Sequence, residues 1–561
     1  MKKILSVILA LTMAATLLAG CGEKQGSSND AEQNNDDKVL VLRTPTALQS
    51  TDWTQTTHLV DMQVTYGNVF EGLYGIDEGA GGYYPALAED VQISDDQLVY
   101  TIKLRDAKFQ NGDPLKASDV VFSYDRAMAN PRFNFLTNMI DSYRAVDDQI
   151  FEITLKYPYS AILHTFFSIK VTSEREVTEA GDAFGTTVHK AATGPYYFSS
   201  YDVAGGYRLE AFDDYWGGAP DVKHVEYRLI TEDSAAVIAF ENGEIGYLHD
   251  APVAEWESLA AKAGDNCVML KGNNIRTFFI NWESKNNNGI LADENVRKAI
   301  LHAINKDNIN AAAVSGYGAV SPCEWIPSEY CETSPKASDG KFELYEFDTA
   351  KSHQYLLDAG FTEEEIAAGI PVGTIVTYGS QTSEKVKAAQ VIQSNLRDVG
   401  LIAEVSFGDI SVIVPELHRF NYDMLVYGDS GNYDYNNIRQ MVASESNGDD
   451  NNGGGVSVVR FNGDGKGSSP FEWQKIDQLI EDGVSTTDVA ERYDIYTELW
   501  STVMDTAVMD PFLHLPVGIA YRAIWISELP ARLITACSTS RGNKTQTRQR
   551  VIALCFMRPA P

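Results

Sequence analysis

An α/β fold follows from three features of the chain. Apolar helix faces such as Val296, Ile300 and Ile304 alternate with strand-like runs such as Ile402 to Phe407 and Tyr422 to Tyr427, and that mixture of periods is what helices layered on a sheet require. The 561 residues exceed what one hydrophobic core accommodates, so two or three domains are expected. The hydrophobic content, 44%, is ordinary for a globular body.

From the amino end, Met1-Lys2-Lys3, an apolar run from Ile4 to Leu17 and then Leu18-Ala19-Gly20-Cys21 read as an export signal over residues 1–20. The apolar run is short for a membrane-spanning helix of ~20 residues. Leu-Ala-Gly-Cys resembles a lipobox, which makes Cys21 the lipid attachment site and the first residue of the mature protein. Residues 21–37 are nearly all small, polar or charged, so they cannot bury surface and form a disordered tether.

In the body, Val39-Leu40-Val41-Leu42 reads as the first strand, Val64 to Leu73 as a helix and Tyr74-Gly75-Ile76-Asp77 as a turn. Leu98 to Leu104 alternates as a half-buried strand does. Phe109-Gln110-Asn111-Gly112-Asp113-Pro114 supplies turn chemistry, and Ser118 is placed to cap a helix over Asp119 to Met128.

Charge and cysteines exclude several functions. A formal net charge of -33 argues against a nucleic-acid partner, because phosphate binding needs clustered Lys and Arg. Of the six cysteines, Cys323 and Cys331 lie near enough in sequence to bridge or to stay free. Cys267 reads as a small buried residue. No zinc spacing, His-Glu-x-x-His or P-loop is present, so neither metal nor cofactor is expected. Asp449-Asp450-Asn451-Asn452-Gly453 breaks the calcium-loop order and reads as a surface loop. Gly428-Asp429-Ser430-Gly431 suggests a protease nucleophile segment, but no histidine stands in the matching context, so the chain is not read as an enzyme.

Several segments carry a resemblance. Pro85-Ala86-Leu87-Ala88-Glu89 is followed by Tyr100-x-Ile102-x-Leu104-Arg105-x-Ala107-x-Phe109-x-x-Gly112-x-Pro114-Leu115-x-Ala117-x-Asp119-Val120-Val121-Phe122-Ser123. Further on come Gly194-Pro195-Tyr196, Asp214-Tyr215-Trp216, Gly243-Glu244-Ile245, Asp293 to Lys306 and Tyr345 to Gly360. In this order, over Val39 to about Trp525, they resemble the oligopeptide/dipeptide/nickel class of extracellular solute-binding proteins that feed ABC importers.

The resemblance implies a two-lobed periplasmic-binding-protein-like fold with an extra small domain and a hinge between the lobes. Lobe I is expected to combine residues 38–70, 184–271 and 493–525. The small domain is expected over 71–183 and lobe II over 272–492. The implied function is a lipid-anchored receptor, a monomer at the outer face of the cell membrane (the periplasmic face if an outer membrane is present), which captures oligopeptides and delivers them to an ABC permease and its ATPase subunits. Alternative solutes are a dipeptide, an oligosaccharide or a chelated metal, and a surface hydrolase is the rival from another class.

The family sets an aspartate of a Gly-Trp-x-x-Asp-Tyr-Asn segment against the peptide ammonium, since an unpaired buried charge is costly. Asp434-Tyr435-Asn436 reproduces the end of that segment, and Tyr427-Gly428-Asp429 departs from its start. Asp434 is favoured over Asp429, with both retained. Gly428, Trp53 after the first strand, and Arg276 and Phe278 on the crossing segment Asn274 to Trp282 are the other cleft candidates, Arg276 as a carboxylate partner. After Glu528 acidic residues cease while Arg532, Arg541, Lys544, Arg548, Arg550 and Arg558 accumulate. Residues 526–561 therefore read as an atypical basic tail, either out of frame or a functional extension.

Overall fold

Alternating apolar runs become the strands of one large sheet. The computed structural model describes residues 39–55, 65–77, 82–429, 434–444 and 469–522. The signal, the tether, Cys21, Asp449 to Gly453 and the basic tail lie outside the described residues.

The strands are β1 (Val39–Thr44), β2 (Tyr74–Asp77), β3 (Gly82–Pro85), β4 (Ala88–Ile93), β5 (Val99–Leu104), β6 (Ile140–Ala145), β7 (Ile150–Leu155), β8 (Tyr196–Asp202) and β9 (Gly206–Ala211). They continue as β10 (His224–Leu229), β11 (Tyr247–Leu248), β12 (Cys267–Ile280), β13 (Ala319–Val320), β14 (Ile370–Tyr378), β15 (Leu401–Gly408), β16 (Met424–Asp429) and β17 (Met509–Tyr521). The large sheet has the order β15-β14-β16-β12-β17-β11-β1-β10-β9-β8, with β13 on β17. A separate sheet, β4-β5-β7-β6, carries the helix Ala117–Met128 against it.

Among the described residues two large hydrophobic cores draw on this sheet, and a smaller one around Phe240, Trp256 and Leu259 packs against β11, β12 and β17. One gathers side chains between Leu40 and Val225, including Phe70, Ile102, Tyr124, Phe151 and Phe166. The other gathers side chains between Ile275 and Leu513, including Ile300, Ile392, Leu425, Tyr435 and Trp500. The amphipathic helix Glu294–Ala303 shows how sequence places the second core. Asp293 caps its first turn, accepting from the N–H of Asn295 at 2.8 Å and of Val296 at 3.3 Å, and Val296, Ala299, Ile300 and Ala303 face inward. The helix Val489–Met504 adds Tyr496, Leu499, Trp500 and Val503 to this same core. Residues 493–504, expected with lobe I, therefore pack with the side chains expected in lobe II.

β12 and β17 run from one core region to the next. Cys267–Lys271 pairs with Pro516–Ala520, and the register slips before Ile275 meets His514. At the slip, a Cβ on Gly272 would lie 2.5 Å from the Leu515 carbonyl oxygen, so close approach of the two backbones requires glycine there. A bulge in a paired crossing is a natural place for bending, since few side chains resist it.

Local expectations changed in places. The 64–73 helix reduces to a single turn, Thr65–Val69, because Gly72 joins a backbone bridge to Lys170. Tyr74–Asp77 is a strand paired with β3 rather than a turn. The helix expected from a Ser118 cap begins at Ala117, where Asp119 Oδ2 accepts from the Lys116 N–H at 3.1 Å. Cys323 and Cys331 are both buried free thiols, and Cys267 is only half-buried on β12.

Candidate functional site

β14, β15 and β16 run parallel, so their carboxyl ends open on one side of the sheet. β14 lies between the other two, and the chain winds first to one side of it and then to the other. That reversal marks the position, beyond the carboxyl ends, where an open α/β sheet usually forms its ligand crevice. The loop after Tyr378, the start of the helix Glu384–Asp398 and the end of β16 line it. β12 runs antiparallel to β16 and sets Arg276 opposite Gly428.

Arg276, Glu384 and Lys385 meet at this point. Arg276 donates to Glu384 Oε1 from Nη2 at 2.7 Å and from Nε at 3.0 Å. Lys385 Nζ donates to the same oxygen at 3.0 Å and lies 4.6 Å from the centre of the Tyr378 ring. The Arg276 and Lys385 side chains are only 12% and 13% exposed. Burial alone would raise the Glu384 carboxyl, but Arg276 and Lys385 hold it down to about 2. Burial and the Arg276 charge push the Lys385 ammonium below its ordinary value, with Glu384 opposing them. Gly428 makes the arrangement possible: a Cβ there would stand 2.2 Å from Arg276 Nη1, so the missing side chain admits the guanidinium against β16.

Asp434 has other obligations. Its two oxygens accept from Arg492 Nη2 at 3.1 and 3.0 Å, and Oδ1 also accepts from the Asn436 N–H at 2.9 Å, capping the short helix Tyr435–Ile438. Burial works against the charged Arg492, yet Asp434 raises it above its ordinary value. A ligand ammonium at Asp434 has to compete with a formed, largely buried ion pair. Asp429 closes β16 opposite Ile275, and its side chain lies outside the described part of the chain, as do Ser430 and Gly431.

Trp53 and Phe278 do not line the crevice. Trp53 is fully buried in the first core, edge-on to Phe133 with ring centres 5.2 Å apart. Phe278 is fully buried in the second core. Arg276 and Phe278 share strand parity, but Arg276 stands near the sheet end opposite Gly428, whereas Thr277 to Ile280 lie deeper along β12 and are buried.

A second feature joins the two cores away from the large sheet. The Ser160 N–H donates to the Val484 carbonyl at 2.8 Å, and Ser160 Oγ reaches the Gly483 carbonyl at 3.4 Å. The neighbouring Tyr159 hydrogen-bonds Asn436, and burial followed by Asp434 raises its phenol above the ordinary value. The Tyr157–Ser160 turn thus rests on the Asp434–Asn436 segment.

Glu384, Lys385 and Arg492 were missed in the sequence. The signal for the first two was available, since Thr382-Ser383 before a helical run marks the loop-to-helix step at the carboxyl end of a strand. Nothing in sequence spacing connects Arg492 to Asp434.

Comparison with known proteins places this geometry. Residues 82–450 match the model of the bacterial extracellular solute-binding proteins, family 5. A glutathione-binding protein of Pectobacterium atrosepticum is 28% identical over 356 residues, 62% of this chain and 65% of that protein, so the chain covers just under two thirds of that relative's length. The ABC transporter substrate-binding protein CtaP of Listeria monocytogenes superposes with a TM-score of 0.71 at 22% identity, covering 87% of this chain and 94% of that one. The oligopeptide-binding protein AppA of Bacillus subtilis, solved with a nonapeptide, superposes at 0.67 with 18% identity, covering 86% and 94%. These similarities establish the two-lobed binding-protein fold.

Proposed function

Because the chain belongs to the bacterial extracellular solute-binding proteins of family 5, we propose that it is the substrate-binding component of an ABC importer and captures short peptides in the crevice at the ends of β14 and β16. The observation that carries this reading is the pairing of a strand-order reversal at β14 with a long crossing, β12 and β17, that leaves the Ile275–Leu513 core and reaches a separate cluster around Trp256, Leu259 and Ala520. Such a body closes by bending at the crossing, and ligand selects the closed form. A permease that recognises that form takes up the solute, and ATP hydrolysis belongs to the importer's own ATPase subunits.

A peptide offers a carboxylate, an ammonium and a backbone. Arg276 and Lys385 suit the carboxylate, and exposed backbone of a sheet end suits strand-like hydrogen bonding along the peptide. For the ammonium, Asp429 and Asp434 are both proposed, with Asp434 the more encumbered by its pairing to Arg492. The lipobox at Leu18-Ala19-Gly20-Cys21 supports a lipid-anchored receptor held beside its permease.

Mass spectrometry of ligand retained by natively purified protein tests the proposal. A heterogeneous set of peptides at one per protein supports it. A single sugar or metal chelate overturns the peptide reading, and hydrolysis of added peptide that stops in Ser430→Ala overturns the receptor reading altogether.

A further inference from the structure

β12 and β17 hold a titratable side chain where their register breaks. His514 follows Leu513, the last buried side chain of the second large core, and precedes Leu515, whose carbonyl oxygen crowds Gly272. Its backbone pairs with Ile275, the first residue of β12 beyond the slip, and on its other side with Ala319 of β13. The side chain is 2% exposed, and its Nδ1 meets no hydrogen-bond partner among the described residues.

Charged groups face this imidazole from two elements, Lys271 on β12 and Glu329 in the loop after β13. Lys271 Nζ donates to Glu329 Oε1 at 2.6 Å, and Tyr330 Oη donates to the Lys271 carbonyl at 2.6 Å. The Lys271 and Glu329 side chains are 40% and 51% exposed, so bending at Gly272 loosens this cover at small cost. Burial and then Lys271 hold the imidazole down to about 3, with Glu329 opposing them.

We infer that His514 is a proton sensor built into the crossing: acid favours the bent, open conformer, in which water reaches the imidazole, and so weakens ligand binding. The described conformer, with Ser160 bonded to Val484 across the two large cores, keeps His514 dry. Water at the imidazole restores its ordinary value of about 6.5. The value is thus lower in the dry conformer, so proton uptake stabilises the open one as pH falls below about 6.5. Between about pH 7.5 and about pH 5.5 the equilibrium shifts about tenfold toward opening, while the closed form still carries no proton there. The inference rests on the binding-protein reading, with closure at this crossing, and adds regulation to it without touching the crevice contacts.

The experiment combines small-angle scattering of the ligand-stripped full chain with calorimetric titration of trialanine, at about pH 7.5 and about pH 5.5, on wild type, His514→Gln and Lys271→Met. Acid should weaken trialanine binding by wild type by up to about tenfold and enlarge its radius of gyration reversibly, with circular dichroism unchanged. His514→Gln cannot take up the proton; it should match wild type at the higher pH and lose most of the acid response. Lys271→Met removes the charge that opposes imidazolium in the dry conformer. It should blunt the response, and it decides the matter if His514→Gln fails to fold. Either change supports the inference if it is lost in His514→Gln. A wild type in which neither affinity nor radius responds, or a response kept in both variants, overturns the inference and leaves the peptide reading standing. Expansion accompanied by lost circular dichroism is unfolding and overturns it as well. If trialanine does not bind at either pH, the peptide reading fails, and the scattering comparison alone decides the inference.

Discussion

Replacing Asp434 with asparagine should destabilise the ligand-free protein before it changes binding. The carboxylate accepts from Arg492 Nη2 at 3.0 and 3.1 Å, and Arg492 is anchored further by Nε on the Gly483 carbonyl at 3.1 Å. Unit charges at that separation attract by about 5 kcal/mol at an effective dielectric of ~20. Desolvation offsets part of this, and asparagine retains both the cap on Asn436 and one acceptor for Arg492. What remains is an Arg492 side chain only 9% exposed and without its counter-charge, a loss of about 2–3 kcal/mol. For a domain of ordinary size that lowers the melting temperature by about 5–10 °C. Scanning calorimetry on ligand-stripped protein measures it, and Arg492→Met should cost a similar amount, with the double variant losing less than the sum. An unchanged transition in Asp434→Asn, together with a tenfold loss of peptide affinity, would refute the argument and make Asp434 the ammonium anchor.

Four further outcomes follow from the geometry. His514 is buried on β17, and desolvation followed by the nearby Lys271 lowers its imidazole to about 3. The unfolded chain therefore takes up this proton first, and stability falls as pH drops from about 6.5 toward 3, by at most ~4–5 kcal/mol; His514→Leu should flatten that acid limb in urea titrations at stepped pH. Gly428→Ala should cost about 1 kcal/mol or less in stability, since the guanidinium end can shift, yet the Glu384 carboxyl should rise from about 2 as Arg276 is pushed off, readable by carboxyl NMR titration. Tyr159→Ala should loosen the turn that joins the two cores and enlarge the ligand-free radius of gyration in small-angle scattering, with a several-fold weaker peptide affinity. Cys21→Ser should move the protein from the detergent phase to the aqueous phase in a partition assay.

Some of the site was legible and some was not, for reasons visible in particular residues. Arg276 and Gly428 stood out because the crossing segment and the end of a late strand are recognisable in order along the chain, and the structure sets them opposite each other. Trp53 and Phe278 were read as cleft residues on the same grounds but are core side chains. Position along a strand indicates which loops surround a site, whereas the burial of a side chain depends on what packs over it: Arg276 meets Glu384 near the sheet end, and Phe278, two residues on along β12, is covered by the core.

By itself the sequence determined the α/β class, through its two hydrophobic periods, and the proposal of an export signal over residues 1–20 rests on short-range patterns that need no folding partner. Caps such as Asp293 and the chain order of family segments are local in the same sense. Only the tertiary structure decided which charges neutralise one another. Asp434 and Arg492 are far apart in sequence, as are Arg276 and Glu384, and each pair meets because separate elements converge in the fold. Coulomb attraction and desolvation depend on distance in space, which sequence separation does not encode. For that reason Asp434, the first choice for a ligand contact, is already paired within the fold, while Arg276 and Lys385 converge on Glu384.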